Sequence, residues 1–175
     1  MTTDTARRRF NEMVLPHLDD AYGLARWLTG NRTDAEDVVQ DACMRVLASL
    51  ETAVVERPRP WILTIVRNTA FSWLAKNRPR AVVLTSDLQQ QYAATALIDC
   101  APDPEEAMIA AADEAALASA IQALPLNFRE VIVMRDINGM SYREIAAAIG
   151  APQGTVMSRL ARARAQLVEK LGSPA

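Results

Sequence analysis

The chain of 175 residues has one histidine, His17, and two cysteines, Cys43 and Cys100. The cysteines lie far apart and form no paired motif, so the ligands for a His/Cys zinc site are lacking. One histidine also leaves Ser/His and Cys/His nucleophile schemes short of a base. There is no G-x-x-x-x-G-K-[ST] loop and no pair of metal carboxylates, so no nucleotide, metal or cofactor is expected and the chain does not read as an enzyme. No apolar run is long enough to span a bilayer, and Met1–Arg9 lacks the apolar core of an export signal. Membrane insertion and export are therefore not expected, and a reducing, cytoplasmic location is. Lys plus Arg (19) and Asp plus Glu (21) leave a net charge of −2, so any nucleic-acid binding has to come from local clustering.

Hydrophobic residues make up 50% and charged residues 23%, which suits a folded chain and not a disordered one. Aromatics are only 5%, while helix formers are abundant. Periodicity of three and four residues recurs throughout and no strand-period segment is found, so the fold class is all-α, in two small helical halves. Phe10, Val14, Leu18, Ala21, Ala25 and Leu28 predict one helix from about Arg9 to Thr29, ended by Gly30 and Asn31. Thr33 and Glu36 have the spacing of a capping box for a second helix with the apolar stripe Ala35, Val38, Val39, Ala42, Val46 and Leu50. A loop follows to Arg59, and Pro60 opens a third helix that reaches about Asn77 and stops before Pro79. Residues 81–103 read as a linker, acidic in effect because no Lys or Arg occurs from Ala81 to Phe128. Asp103, Pro104 and Glu106 start the second half, with a helix to about Leu124 and another from Leu126 to Ile137. The predicted domains are 1–80, the linker 81–103, and 104–175.

Ser141 and Glu144 form a capping box, Gly150 ends the short helix it opens, and Pro152 opens a longer one to about Leu171. Short helix, Gly turn and longer helix make the helix-turn-helix pattern. In the longer helix Val156, Leu160, Ala163, Leu167 and Leu171 form the core stripe; the opposite face carries Gly154, Ser158, Ala161, Arg162 and Ala165, flanked by Arg159 and Arg164. Small residues let such a helix lie deep in a major groove, and arginines reach phosphates and guanine edges. A solvated basic hairpin is the plainer reading; box, turn and arginine pattern together favour DNA.

Two faces in the first half carry the rest. Asp37, Gln40, Asp41 and Met44 line the second helix opposite its core stripe. An acidic face is commonly just solvated, but an apolar anchor among acids reads as a protein-binding surface. The third helix and its flanks are basic: Arg57, Arg59, Arg67, Lys76, Arg78 and Arg80, with no acid between Arg57 and Arg80. Thr64, Arg67, Asn68, Phe71 and Arg78 lie toward one side, a combination that suits backbone contacts, edge hydrogen bonds and base stacking. Trp73 reads as core, while Trp61 and Phe71 are balanced between core and stacking.

These residues resemble the extracytoplasmic-function (ECF) group of sigma factors in the sigma-70 family. Asp34–Asp41 looks like the family's polymerase-clamp-binding helix and Arg59–Asn68 like its minus-10 helix. Leu124–Val131, Gly139–Ala146 and Gly154–Arg164 look like its minus-35 domain. The resemblance implies sigma region 2 followed by region 4, and as partners core RNA polymerase (the clamp of its largest subunit and the flap of its second-largest), promoter DNA and an anti-sigma factor. It matches Asp37, Gln40 and Asp41 to polymerase docking, where Met44 completes the face, and Asn68 with its basic neighbours to the minus-10 region, where Arg57, Arg59, Trp61, Arg67 and Phe71 are the further candidates. Met157, Ser158, Arg159, Ala161, Arg162 and Arg164 fall to the minus-35 element, and the loop 50–59 to capture of a flipped base. Two departures stand out: that loop has no aromatic before Arg57, and Met157 sits where a basic residue is common. No C-terminal regulatory extension is expected, and the acidic linker suggests weak DNA binding until polymerase separates the halves. The competing reading is a stand-alone helix-turn-helix regulator, which leaves the Asp37–Met44 face unused.

Overall fold

A computed structural model describes residues 3–83 and 106–172, with side chains over 5–82 and 112–172. The described residues form helices joined by short turns, in two bundles. The first holds α1 (Thr3–Met13), α2 (Leu18–Thr29), α3 (Arg32–Ser49), α4 (Pro58–Asn77) and the short α5 (Pro79–Val83). The second holds α6 (Glu106–Gln122), α7 (Leu126–Ile132), α8 (Tyr142–Ile149) and α9 (Gln153–Gly172).

The single helix expected over 9–29 is two helices with a 3-10 turn, Leu15–His17, between them. Pro16 is the cause: it has no N–H to donate and its ring crowds the preceding turn. The bend lets α1 cross α3 while Val14 stays in the core. Gly30 closes α2 at φ 85, where its N–H reaches the Arg26 carbonyl. The next helix then starts at once. Its cap is Asn31, which accepts from Asp34 N–H, and not the expected Thr33, which lies exposed in the first turn. An extended Asn directly after a left-handed glycine captures the cap before Thr33 can.

Ala35, Val38, Ala42, Val46 and Leu50 are buried as the stripe requires, with Val39 at its edge. They pack on Leu24 and Leu28 of α2 and Ile62, Leu63, Val66 and Leu74 of α4. Each fully buried aliphatic side chain contributes about 1.5–3 kcal/mol. Arg78, just past α4, donates to the Thr29 carbonyl (3.0 Å) and to Asp34 Oδ2 (2.6 Å), tying three helix ends together. Pro79 ends α4 but opens α5, so residues 81–83 are helical and not linker. The remainder of the expected linker lies outside the described residues, as do Asp103 and Pro104.

In the second bundle α7 runs into a π-helical turn, Val133–Ile137, in which Asn138 N–H reaches back to the Val133 carbonyl. The Ser141–Glu144 capping box forms with both reciprocal bonds. Gly150, at φ 66, turns the chain from α8 into α9. Val156, Leu160, Ala163 and Leu167 are buried, but Leu171, expected in the same stripe, is exposed because α9 has run past its partners there.

The two bundles pack on each other, α4 against α8 and α2 against α7. The carbonyl of Trp27, in the last turn of α2, lacks a helical partner. Gln122 (3.2 Å) and Arg129 (3.3 Å) supply donors from the second bundle. Arg129 also donates to the carbonyls of Gln122, the last residue of α6, and Leu124 just after it, and burial lowers its pKa to about 10.

Candidate nucleic-acid interface

The helix-turn-helix is α8, the Gly150 turn and α9. Ile145 and Ala148 bury against α9 with Ile149 partly covered, so the two helices hold a set angle. Met157, Ser158, Ala161 and Arg162 all lie exposed on the outer face. Arg164 is anchored within the bundle, pairing with Asp136 at 2.7 Å. Arg159, at the edge of the face, turns toward Glu130 on α7, 3.4 Å away. Five of the six candidate groove residues are therefore exposed, Arg164 among them although paired with Asp136, and Arg159 is half-buried beside Glu130.

The candidate minus-10 residues distribute differently. Asn68 is exposed on α4. Arg67 is largely covered: its Nε–H donates to Glu130 Oε2 at 2.7 Å, and its guanidinium lies 3.8 Å from the centroid of Phe71. Trp61, Phe71 and Trp73 are all partly buried against the core, so all three have a packing role. Arg59 is anchored to Asp20 at 2.6 Å, and Arg57 reaches across to Glu144 of α8 at 2.6 Å. The loop before Arg57 presents Val54, 94% exposed, as its apolar tip. Its base is held by Arg9 of α1, which donates to the Leu50 carbonyl at 2.6 Å and the Ala53 carbonyl at 3.2 Å.

The acidic face forms as one surface. Asp37, Gln40, Asp41 and Met44 are all exposed on α3, Met44 by 64%. Asp41 pairs with Arg45 one turn on, a surface pair of little energetic weight. An exposed methionine one turn from Asp41 and two from Asp37 is adaptable apolar surface at the edge of an acidic stripe, suited to a protein partner.

Sequence reasoning assigned no role to Arg9 or Glu130, and to Glu144 only that of a cap. Glu130 is 1% exposed and meets guanidiniums from both bundles. Burial pushes its carboxyl up from the ordinary range, and Arg67 and Arg159 pull it back without fully offsetting that. An acid set beside the apolar run Val131–Met134 was the available signal. Among the described residues no cluster of three His, Cys, Asp or Glu could hold a metal ion. No described helix is long and apolar enough to cross a membrane.

A basic helix on the first bundle followed by an exposed helix-turn-helix on the second is the arrangement of a DNA-binding protein of the sigma-70 architecture. Residues 13–80 match sigma-70 region 2 and residues 114–167 match sigma-70 region 4. The chain belongs to the ECF RNA polymerase sigma factors. It is 30% identical to the ECF RNA polymerase sigma-E factor of Haemophilus influenzae, over 94% of this chain and 88% of that protein. It is 35% identical to the ECF RNA polymerase sigma factor SigE of Mycolicibacterium smegmatis over 93% of this chain, and spans 61% of that relative's length. The fold is shared with the sigma factor RpoE of Bartonella quintana, solved in complex with the anti-sigma factor NepR. The TM-score is 0.74 at 25% identity, covering 96% of this chain and 99% of that one. It is shared too with CnrH in complex with the cytosolic domain of CnrY, at a TM-score of 0.66 and 28% identity over 97% of this chain and 91% of that one.

Proposed function

We propose that this chain is a dissociable specificity subunit of bacterial RNA polymerase, which binds core enzyme and directs it to promoters with minus-35 and minus-10 elements. The observation that carries the reading is the exposed Asp37–Gln40–Asp41–Met44 face on α3. A stand-alone helix-turn-helix regulator has no use for it; a subunit that must dock on the polymerase clamp does. In this reading the first 80 residues form the polymerase- and minus-10-binding unit, the segment to 103 is the connection, and the remainder reads minus-35 DNA and meets the flap.

The roles follow from chemistry. Met157, Ser158, Ala161 and Arg162 enter the major groove, with Arg159 and Arg164 at the phosphates. Arg57, Arg59, Arg67 and Asn68 track the minus-10 strand, and the loop 50–59 takes an unstacked base. Trp61 and Phe71 border that path, and an aromatic platform contributes about 1–3 kcal/mol per stacked base. Opening the duplex is thus driven by binding energy, with no catalytic group and no cofactor of its own. The work is done in the cytoplasm, where polymerase and promoters are. RpoE was solved with the anti-sigma factor NepR, and CnrH with the cytosolic domain of CnrY. On that footing we propose an anti-sigma partner here.

The test is co-elution of purified chain with bacterial core RNA polymerase on a sizing column. Stoichiometric co-elution is expected for the wild type. It is expected to be lost in the Asp37→Ala/Gln40→Ala/Asp41→Ala variant, with the helical circular-dichroism signal unchanged. A folded wild-type chain that elutes apart from core enzyme would move the assignment to the stand-alone regulator.

A further inference from the structure

Met157 is 54% exposed on the outer face of α9. It is the fifth residue of that helix, within the N-terminal stretch that a recognition helix turns toward base edges. With 3.6 residues per turn, the exposed surface of α9 divides into two sides. Gly154, Met157, Ala161 and Val168 fall on one, Ser158 and Arg162 on the other. The first side has no charge and no hydrogen-bond donor in any of its side chains, and Met157 is its longest member. Resting on the minus-35 reading of α9, we propose that Met157 is a specificity-determining residue that selects a thymine in the minus-35 element by packing on the thymine C5-methyl group.

The chemistry of the major groove favours this partner over the others. A thioether has no proton to donate and is only a weak acceptor. Met157 therefore offers nothing to a phosphate, and nothing to the O6 and N7 acceptors of guanine or the N7 of adenine. Set against those atoms, or against the amino groups of adenine and cytosine, it would take water from polar groups without returning a bond of ordinary strength. The thymine C5-methyl is the apolar group that base pairs present in the groove.

The surroundings of Met157 suit a close approach. Gly154 and Ala161, three and four residues away, are small and exposed, and the space beside Gly154 is open to 4 Å. The helix can thus lie near the groove floor while Met157 projects beyond its neighbours. Its unbranched, polarizable side chain adapts to the methyl it meets. The polar side does a different task. Ser158 donates to the Thr155 carbonyl at 3.0 Å, which leaves its hydroxyl oxygen to accept, and Arg162 has donors only. Neither reads a methyl group, so discrimination by the methyl traces to the Met157 side.

The test starts from a pool of random-sequence duplexes, selected with full-length chain bound to core RNA polymerase. Each thymine of the recovered minus-35 element is then replaced by deoxyuridine, which lacks only the C5-methyl. At one position the replacement is expected to weaken binding by wild type about fourfold, the effect of leaving one methyl-sized apolar group uncovered. Met157→Ala should bind the two duplexes equally, and Met157→Leu, still apolar, should restore the difference. Met157→Gln should move the preference at that position to adenine, whose N6 and N7 a carboxamide pairs. Because the side chain is exposed, these variants should keep the helical circular-dichroism signal of wild type. Wild type that binds thymine and deoxyuridine duplexes alike at every position overturns the proposal. So does a methyl effect of the same size in Met157→Ala, since it would then come from the DNA's own deformability. Failure to bind core polymerase, or recovery of no common minus-35 element, overturns the underlying reading and the proposal with it. A recovered element with no methionine-dependent thymine overturns only the role of Met157, so the two failures are distinguishable.

Discussion

Arg9 of α1 donates a hydrogen bond to the Leu50 carbonyl at 2.6 Å, across 41 residues of sequence. A second bond to the Ala53 carbonyl makes Arg9 a brace for the loop that follows α3. That loop has no aromatic side chain and only Thr52 and Ala53 turned back onto Ser49. Arg9→Ala should therefore loosen it. A hydrogen bond from a charged donor contributes about 1.5–3 kcal/mol. The expected outcome is weaker capture of minus-10 single-stranded DNA by the polymerase-bound chain, with co-elution on core enzyme retained. Loss of both would mean that Arg9 holds α1 itself in place.

Arg162 stands exposed on α9, outside the ion pairs that take up Arg159 and Arg164. Arg162→Ala is expected to weaken binding to a minus-35 duplex, by about 1–3 kcal/mol if the guanidinium reads a guanine edge. Polymerase binding should change little. A fluorescence titration with polymerase-bound subunit measures the first and co-elution the second; equal loss of both would indicate misfolding.

Glu144 predicts a pH dependence of stability. Partial burial pushes its carboxyl up, but bonds to the Ser141 backbone and hydroxyl and the nearby Arg57 and Arg59 bring it below the ordinary 4.5. Because the folded value is the lower one, the unfolded chain binds the extra proton. The contribution is complete above the ordinary carboxylate range and is lost as pH falls through the depressed value. The difference in Tm between wild type and Glu144→Gln should be largest near neutral pH and vanish in acid. A difference that grows on acidification would reverse the assignment.

Gly150 ends α8 at φ 66 in open space, with nothing within 4 Å of where a Cβ would lie. Crowding is therefore no obstacle, but the left-handed backbone costs an L-residue about 1–2 kcal/mol. Gly150→Ala should lower Tm by about 2–4 °C per kcal/mol lost in a chain of this size. Gly150→Asn should lose less, since asparagine tolerates that conformation. Equal losses in a thermal melt would show that something other than backbone strain is at work.

Local chemistry made much of the structure legible. The Ser141–Glu144 box, the glycine caps at Gly30 and Gly150 and the core stripes of α3 and α9 depend on neighbours within a turn or two. The errors were local as well. Pro16 broke a helix whose apolar period ran on through it, and Asn31 took the cap that Thr33 and Glu36 mimicked. Periodicity reports the face a residue occupies, not whether the backbone can continue.

The amino-acid sequence by itself determined the helices, the two-bundle order, the open α3 face and the outer face of α9, since each follows from spacing along one element. Tertiary structure alone decided which arginines stand free. Arg57, Arg67 and Arg159 read as equivalent surface cations, but all three are paired across the seam or beside it, to Glu144 and Glu130. Charge complementarity acts through space over a few ångströms. Partners separated by 29 to 87 positions become visible only once the bundles have met.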